Sequence, residues 1–527
     1  MVDHPPLRPN KWLVAATVML PMLMVVLDTS VVNVSLGHIR GSLSAGIDEA
    51  TWSITAYLAA NAVIIPMAGW LSRLVGRKRY LIFSIVTFTI SSFLCGASWN
   101  IESLIVFRIL QGLSGGAMPP LSQAILLESF PPNQYGMAMA IFGIGVSFGP
   151  IIGPVLGGWI TEALSWHWVF FINIPVGVLS TVMALFVVVD PPYMRGTLMK
   201  IDYAGLFLLA VGVGSLQLVL DRGQRYDWFG SRLILALTIV SVVSLAAFVM
   251  VERRASPPVI DLRVFKNATY TIGSIAMFVF MANLFGTLVL LPIFLQNLMG
   301  YTATLAGIAL MPGGVANLVT MPLVGRILHR YNPKAFVLAG IVVTAYSTLL
   351  MARFTLGVDF ATVMVPRVVM GVGMGLLFIP LTTLTIAHIE KEGMANATAI
   401  YNLIRNIGGS IGIAVVTTLL SRRSQFHQVR LVEHLTPFDA LYQVRTQQAA
   451  SLLASKGFDP ETARHAGLGL VYESMLKQAG MLSFADVFYA LALMMVVLVP
   501  LVFFMKHTPH ARQAEPPRGG TDAGHGA

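Results

Sequence analysis

The sequence predicts an all-α polytopic membrane protein with fourteen spans. Of its 527 residues, 56% are hydrophobic and only 11% are charged, whereas a soluble domain carries about 25% charged residues. Mean hydropathy over the chain is +0.75. Apolar stretches of about 20 residues are long enough to cross a bilayer as helices. Fourteen of them begin near Trp12, Trp52, Tyr80, Leu104, Gly136, Trp168, Tyr203, Leu233, Tyr270, Thr304, Ala335, Thr362, Ala397 and Phe484.

The distribution of Lys and Arg predicts the orientation of these spans. If the N-terminus lies inside, the cytoplasmic segments hold nineteen Lys and Arg residues and the short external loops hold five. Because cytoplasmic loops carry the excess of basic residues, both termini are expected in the cytoplasm. The net charge of +10 is therefore interpreted as a topology signal and a contact with anionic lipid, not as a nucleic-acid interface.

The chain also repeats itself. "RILQGLSGG" from Arg108 matches "RVVMGVGMG" from Arg367 at an offset of 259, and "FGPIIG" matches "IGGSIG" at the same offset. "PMAG" matches "PLVG" at an offset of 256. Two homologous halves with a site between them are typical of secondary transporters. The predicted units are a cytoplasmic N-terminus 1–11, a first six-helix bundle 12–190, two extra helices 203–251, a second bundle 270–505 and a cytoplasmic tail 506–527.

One external connection is unusually long. Residues 421–483 are predicted to form a polar loop between the last two spans, with helix-like stretches inside it. Loops of this length in compact proteins are usually functional or disordered. Docking of a partner and a simple cap both remain open for this segment.

A glycine repeat marks the fifth span, "GVSFGPIIGPVLGGWI". Glycines every four residues make a smooth groove for a neighbouring membrane helix, and the prolines beside it favour a kink. The groove is interpreted either as plain helix packing or as a gating helix on which the two halves rock. The motif residues are Gly145, Gly149, Pro150, Gly153, Pro154, Gly157 and Gly158.

This span resembles the antiporter motif of the major facilitator superfamily. Together with "LDTSVVNVSL", "WHWVFFINIPVG", "DRGQRYDWF" and "RNIGGSIG", the chain resembles the fourteen-span drug:proton antiporters of the EmrB/QacA type, and its long late loop is most similar to the EmrB branch. The resemblance implies a major facilitator fold of two six-helix bundles plus two extra helices. It also implies multidrug efflux across a bacterial inner membrane, driven by the proton motive force, with a periplasmic adaptor and an outer-membrane channel as partners.

The loop after the second span, "GWLSRLVGRKR", resembles a further motif of that superfamily. Gly69 and Gly76 permit a tight connection, and Arg77 and Lys78 are expected to meet carboxylates or helix C-termini on the cytoplasmic face. The family pattern has an aspartate where this chain has Arg73. A topology anchor is therefore at least as well supported here as a charge relay.

Asp28 is the expected proton site. A lone carboxylate in hydrocarbon costs roughly 2.5 kcal/mol or more, and Arg108 is a buried cation that needs a partner. The resemblance makes the two residues a proton-coupling pair, in which Asp28 holds either a proton or a cationic drug. A permanently protonated Asp28, and an Arg108 bonded only to backbone carbonyls, are the alternatives. The second half offers no evident embedded acid, so the proton machinery is expected in the first half.

Polar residues within the spans are expected to line a central cavity for hydrophobic or cationic drug-like substrates. They are Asn33, Tyr57, Asn61, Gln111, Gln123, Asn283, Asn402 and Arg405. Many methionines and phenylalanines would give that cavity an adaptable apolar wall. A dedicated exporter of one endogenous metabolite, such as a siderophore or fatty acid, would use the same motifs. An importer and a transport-dead sensor or scaffold are less well supported.

Enzymatic chemistry is not indicated. The sequence contains no phosphate-binding GxxxxGK[ST] and no HExxH, the patterns expected of a P-loop ATPase and of a zinc protease. Its single cysteine, Cys95, permits neither an intramolecular disulfide nor a cysteine-based metal site. We therefore expect no cofactor and no metal, with protons as the coupling ion.

Overall fold

The computed structural model describes residues 10–190, 202–254, 258–433, 435–436 and 438–505. Every regular element in these ranges is a helix. The predicted tail 506–527 and most of the predicted N-terminal segment 1–11 lie outside the described residues.

The first half of the chain comprises eight helices. They are α1 Lys11–Ser42, α2 Ile47–Val75, α3 Arg77–Gly96, α4 Ile101–Gly115, α5 Met118–Ser129, α6 Tyr135–Ala163, α7 Trp168–Phe171 and α8 Asn173–Val187. Helices α4 and α5 together form one span, which breaks at Gly116 and Ala117 ahead of two prolines. Proline lacks a backbone donor and so weakens helix continuity.

Ten further α-helices follow in the described residues. The extra pair is α9 Tyr203–Arg222 and α10 Arg232–Glu252. The second half contains α11 Ala268–Ile293, α12 Ala303–Ile327, α13 Pro333–Ala352, α14 Phe360–Ile386, α15 Met394–Val432, α16 Ala440–Ser455, α17 Pro460–Val496 and α18 Leu498–Phe504.

The helices agree with the predicted spans. Within the described residues, thirteen helical stretches are long and apolar enough to cross a membrane. The one predicted span that is not among these thirteen corresponds to α6. Its 29 residues extend about 43 Å, which exceeds the hydrocarbon thickness of about 30 Å. The predicted all-α membrane architecture is confirmed.

The internal repeat reappears in the helix contacts. A Cβ on Gly112 would collide with the backbone carbonyl of Tyr57, and one on Gly371 would collide with that of Gly313. The crossing of α4 over α2 therefore recurs as the crossing of α14 over α12, at the offsets of 259 and 256 residues.

The crossing of α6 over α1 recurs in the same way as that of α15 over α11. Gly149 and Gly153 abut Val26 and Ser30, whereas Gly408 and Gly412 abut Phe278 and Ala282. Phe278 and Ala282 on α11 each lie 252 positions after their counterparts Val26 and Ser30 on α1. The two helices are therefore equivalent at an offset of 252 residues.

Direct hydrogen bonds between the halves lie toward the end of the bundle at which α1 begins. Asn402 donates to Gln123 at 2.5 Å, and Asn317 donates to Ser147 at 2.6 Å. Nearer that end, a Cβ on Gly69 of α2 would lie 2.8 Å from the carbonyl oxygen of Ala395 on α15. These contacts hold the halves together from the middle of α6 down to the start of α15.

The extra helices bridge both halves at the opposite end. Asp221 of α9 accepts a hydrogen bond from Thr55 of α2. Gln217 of α9 donates to Ser410 of α15 at 3.0 Å, and the Trp228 indole donates to Thr418 of α15 at 3.0 Å. Helix α9 and the turn after it therefore pack against both halves, and α10 packs on α9.

The predicted external loop 421–483 is largely helical. Helix α15 continues to Val432 and α17 begins at Pro460, with α16 between them. Arg423 and His427 of α15 contact the Asp486 carboxylate of α17 at 2.6 and 2.7 Å, which ties the two helices where they leave the apolar spans. The helix-like stretches expected in this segment are helices in the structure. We name the described part of 421–483 the helical protrusion.

Candidate functional site

Asp28 lies at the middle of α1 and is almost completely buried, with 1% of its surface exposed. One carboxylate oxygen accepts from Arg108 Nη1 at 2.5 Å, and the other accepts from Gln111 Nε2 at 2.9 Å and Asn173 Nδ2 at 3.2 Å. An ionised carboxylate only accepts hydrogen bonds, whereas a protonated one must also donate. Three surrounding donors therefore favour ionised Asp28 over the permanently protonated alternative.

Arg108 of α4 is equally buried, and its guanidinium donates hydrogen bonds to several groups. Besides Asp28, it donates to the side-chain oxygen of Gln111 at 2.7 Å and to the backbone carbonyl of Ser53 at 3.3 Å. The guanidinium carbon lies 4.0 Å from the centre of the Tyr57 ring, a geometry in which the ring quadrupole attracts a cation. Both expected kinds of partner, carboxylate and backbone carbonyl, are present.

A second layer of hydrogen bonds orients these donors. Asn173, the first residue of α8, also donates to Ser92 at 3.0 Å, and Ser92 donates to the carbonyl of Phe170 at 2.8 Å. Asn173 and Ser92 were not among the predicted site residues. Asn173 lies inside the quoted stretch "WHWVFFINIPVG", where an amide among apolar residues was an available signal. Helices α1, α2, α3, α4 and α8 all contribute, so the carboxylate site belongs wholly to the first half.

The residues predicted to line a cavity lie in different environments. Gln111 and Tyr57 belong to the Asp28–Arg108 cluster, and Asn61 is buried with 8% exposure. Asn283 donates to the carbonyl of Leu491 at 3.0 Å and so packs α11 against α17. Asn33, by contrast, is exposed on α1 beyond Asp28.

The remaining cavity predictions fall at the junction between the halves. Gln123 and Asn402 are both 1% exposed and bond to each other. Arg405, one turn further along α15, is 8% exposed and lies 5.7 Å from the centre of the Phe142 ring of α6. These three residues lie at the junction between the halves.

The glycine repeat of α6 packs against α1 within the same half. Gly149, Gly153 and Gly157 face Val26, Ser30 and Val31 of α1, and Gly145 faces Met19. A Cβ on Gly158 would meet nothing within 4 Å. The side chains of Pro150 and Pro154 lie outside the described residues.

A different part of α6, which includes its first turn, contacts the second half. A Cβ on Gly136, near the start of the helix, would lie 3.1 Å from the carbonyl oxygen of Gly325 on α12. Helix α6 is therefore inserted between the helix that carries Asp28 and the second half. Its role as a gating helix stays a prediction.

The loop motif after α2 makes the kinds of contact expected of it. Gly76 has φ of +94° and joins α2 directly to α3, a backbone conformation that favours glycine. Arg77 pairs with Glu128. The Lys78 amide donates to Asp190 at 2.7 Å, and its ammonium donates to the carbonyl of Leu185, near the end of α8, at 2.6 Å.

The comparisons with known proteins agree with this geometry. The sequence profile described as "Major Facilitator Superfamily" matches residues 18–413. The chain belongs to the major facilitator superfamily. It is therefore a multi-pass membrane transporter and not an enzyme. Among the described residues, no group of three or more His, Cys, Asp or Glu side chains is placed to hold a metal ion.

Individual relatives match over nearly their full length. The chain is 36% identical to the fatty acid resistance protein FarB of Neisseria gonorrhoeae, over 97% of this chain and 99% of FarB. It is 35% identical to the multidrug export protein EmrB of Escherichia coli K12, over 96% of each chain. The human organic anion transporter MFSD10 has a similar fold, with a TM-score of 0.61 at 12% identity, covering 94% of this chain and 100% of that one.

Proposed function

We propose that this superfamily member is a proton-coupled multidrug efflux transporter of a bacterial inner membrane. The single observation that carries the proposal is the buried Asp28–Arg108 pair, because a titratable carboxylate inside a transporter is a natural proton carrier. The similarity to EmrB supports drugs as substrates.

The arrangement of the pair suggests how a proton would act. An ionised Asp28 would neutralise Arg108, and both side chains are buried. A proton arriving at Asp28 removes its charge and leaves Arg108 without a counterion. Removing the charge of one partner in a buried ion pair costs roughly 3–5 kcal/mol. This is enough to change the relative populations of two conformations. Because α1 packs on α6, and α6 packs on α12, such a shift would be transmitted to the junction between the halves.

The basic residues of the short loops support an orientation with both termini in the cytoplasm. The inter-half contacts near the start of α1 would then close the cytoplasmic side. Exposed Asn33 would lie on the opposite, periplasmic side of Asp28. Proton entry from the periplasm would favour drug release, and deprotonation toward the cytoplasm would reset the carrier.

Substitution of Asp28 by Asn tests the coupling. Asp28→Asn keeps the size of the side chain but removes its charge and its titration, so efflux driven by a proton gradient is expected to fall to background. The measurement is dye efflux from proteoliposomes under an imposed pH gradient. Glu102→Gln, an exposed carboxylate on α4, is the matched control and should retain full efflux. Full proton-driven efflux by Asp28→Asn would refute the coupling role.

A dedicated exporter of one endogenous metabolite, such as a siderophore or fatty acid, is the second candidate. The similarity to FarB, which is named for fatty acid resistance, favours it. Susceptibility profiling of a deletion strain, complemented with the wild type or with Asp28→Asn, separates the two. Sensitivity to many unrelated drugs indicates multidrug efflux, whereas sensitivity confined to one compound class indicates a dedicated exporter.

The helical protrusion supports a further part of the proposal, a periplasmic adaptor that connects to an outer-membrane channel. Helix α16 has no buried residue among those described, and Leu441 and Val444 on it are 67% and 49% exposed. Exposed apolar residues on a helix that extends from the bundle favour a protein partner.

Two substitutions on α16 test the adaptor. The double change Leu441→Ser and Val444→Ser should weaken co-purification with an adaptor encoded nearby, while Gln447→Ser on the same helix should not. Unchanged co-purification of the double variant would place docking elsewhere.

A further inference from the structure

Asp28 is held by side chains from two different helices. Two of its donors, Arg108 and Gln111, belong to α4. The third, Asn173, is the first residue of α8, is 3% exposed and donates to Asp28 Oδ1 at 3.2 Å. Since α8 also packs directly against α1, the carboxylate has a donor that does not depend on the position of α4.

The two donors on α4 depend on each other. Gln111 Oε1 accepts a hydrogen bond from Arg108 Nη1 at 2.7 Å. A movement of the guanidinium away from Asp28 would therefore disturb the Gln111 amide as well. Asn173 is bonded elsewhere, because its Nδ2 atom also donates to Ser92 of α3 at 3.0 Å.

Close contacts with α3, on both sides of Asn173 in the sequence, fix the position of this residue. Helix α7 ends at Phe171 and α8 begins at Asn173. A Cβ on Gly96 of α3 would lie 2.5 Å from the Phe171 ring. A Cβ on Gly177 of α8 would collide with the Thr89 hydroxyl of α3. Helix α3 therefore lies about as close to α7 and α8 as glycine allows, and the start of α8 has little room to shift.

Both hydrogens of the Asn173 amide are used. An asparagine amide carries two donors, and here one is donated to Asp28 and the other to Ser92. Ser92 is fully buried and donates its own hydrogen to the carbonyl oxygen of Phe170 at 2.8 Å. Hydrogen bonds in such a chain polarise and strengthen one another. The amide therefore keeps a donor turned toward Asp28.

Few other described groups could set the charge of Asp28. The titratable or charged groups that face it are Arg108 of α4, Tyr57 of α2 and Cys95 of α3, and tyrosine and cysteine are ordinarily neutral near pH 7. Helices α7 and α8 and the glycine repeat of α6 contain no titratable residue, and that of α5, Glu128, lies in its last turn. Besides the charge of Arg108, neutral donors therefore decide which form of the carboxyl group is favoured.

An N–H group that donates to a carboxyl group favours its ionised form, because the charged oxygen is the stronger acceptor. Asn173 should therefore oppose protonation of Asp28 and assist the release of its proton. Because Asn173 is anchored to α3, this effect continues when a proton or a cationic substrate has displaced Arg108. A transport cycle needs such a group, since a carboxyl group alone in a dry interior tends to keep its proton.

We infer that Asn173 is a positioning residue of the proton site, which holds Asp28 from α8 and favours its deprotonation independently of Arg108. The inference rests on the proposed proton-coupled export and adds a residue that regulates the same site. It also gives a role to the start of α8, where a buried amide lies among apolar residues.

Titration of Asp28 in the full-length protein tests this role. In proteoliposomes, infrared difference spectroscopy follows the carbonyl stretch of the protonated carboxyl group, and the Asp28→Asn variant identifies the band. Asn173→Ala should raise the midpoint of this titration by about one pH unit, since a hydrogen bond to a charged group is worth roughly that much. Ser92→Ala should raise it less, because Asn173 still donates to Asp28.

The pH profile of efflux should move in the same direction. It is measured in proteoliposomes with the pH difference across the membrane held constant. The Asn173→Ala profile should shift to higher pH, because the reset step requires Asp28 to lose a proton that it now holds more tightly. At neutral pH, efflux by this variant should be slower than that of the wild type.

Matched variants separate the hydrogen bond from packing. Asn173→Asp keeps the size of the side chain but replaces the donor with a second acid, so its midpoint shift should exceed that of Asn173→Ala. Ser180→Ala, on the same helix, removes a buried hydroxyl that has no partner among the described residues, and it should leave the midpoint unchanged. In an Arg108→Lys background, Asn173→Ala should still produce about the same shift.

Three results would overturn the inference: an unchanged midpoint in folded Asn173→Ala, an equal shift in Ser180→Ala, or loss of the shift in the Arg108→Lys background. Proton-driven efflux by the wild type together with an unchanged midpoint in Asn173→Ala rejects the role of Asn173 alone. A shifted midpoint in a protein without proton-driven efflux supports that role and rejects proton-coupled export.

Discussion

The surroundings of Arg108 and Arg367 differ far more than the helices that carry them. Both arginines lie four residues before a glycine that abuts a backbone carbonyl of a neighbouring helix, so the helix crossings of the two halves are alike. Arg108 is neutralised by Asp28 at 2.5 Å, whereas Arg367 has Phe280 in the equivalent place. Close packing thus constrains both halves, whereas of these two arginines only Arg108 has a counterion among the described residues.

The largest expected difference between the halves concerns stability. Arg108→Met leaves Asp28 buried without its counterion and should destabilise the protein by about 3–5 kcal/mol. Arg367→Met removes a cation that has no counterion among the described residues, so it should be neutral or stabilising. Thermal unfolding of both variants in detergent at neutral pH measures this contrast. Equal losses of stability would show that Arg367 has a compensating partner, and the comparison would fail.

The glycine contacts should respond alike in the two halves. Gly149→Ala would place a Cβ 2.7 Å from the carbonyl oxygen of Val26, and Gly408→Ala would place one 2.5 Å from that of Phe278. Each is expected to cost about 1–3 kcal/mol through overpacking. Gly158→Ala, with open space at its Cβ, is the control and should change thermal stability little. Tolerance of only one of the two packed substitutions would mean that packing is not equally tight in both halves.

The smallest expected effect is a coupling energy. Phe280→Asp introduces a carboxylate where the repeat places the equivalent of Asp28. It should be less damaging with Arg367 present than in an Arg367→Met background. A double-mutant cycle on thermal stability should give an interaction of roughly 0.5–3 kcal/mol. An interaction of zero would mean that residue 280 does not face Arg367, and the register of α11 would need revision.

Much of the fold was predictable because its main signals are local in the sequence. Apolar stretches gave the spans, since only helices of that length satisfy their backbone within hydrocarbon. The glycine-bearing repeat gave the two halves. The continuity of the helical protrusion with the spans was not predictable in the same way, because no apolar run joins the polar parts of α15 and α17 to the spans.

The site was predictable only in part. Asp28 and Arg108 were found because charges within spans need partners. Asn173 lies 145 residues from Asp28 along the chain, and a single sequence does not show which spans bring them together. Asn283 and Asn33 were both predicted to line the cavity; Asn283 packs α11 against α17, and Asn33 is exposed on α1. Their difference depends on how each helix is rotated in the fold.

Helix α15 is long enough to act as a lever. Its 39 residues, Met394–Val432, extend about 58 Å in one continuous rod, which carries Asn402 and Arg405 at the junction and ends in the protrusion. About 40 Å separate Arg405 from that far end, so a rotation of about 10° at the junction would displace the end by about 7 Å. Small movements around a bound substrate would therefore be magnified outside the bilayer, where a partner on the protrusion could detect whether the carrier is loaded.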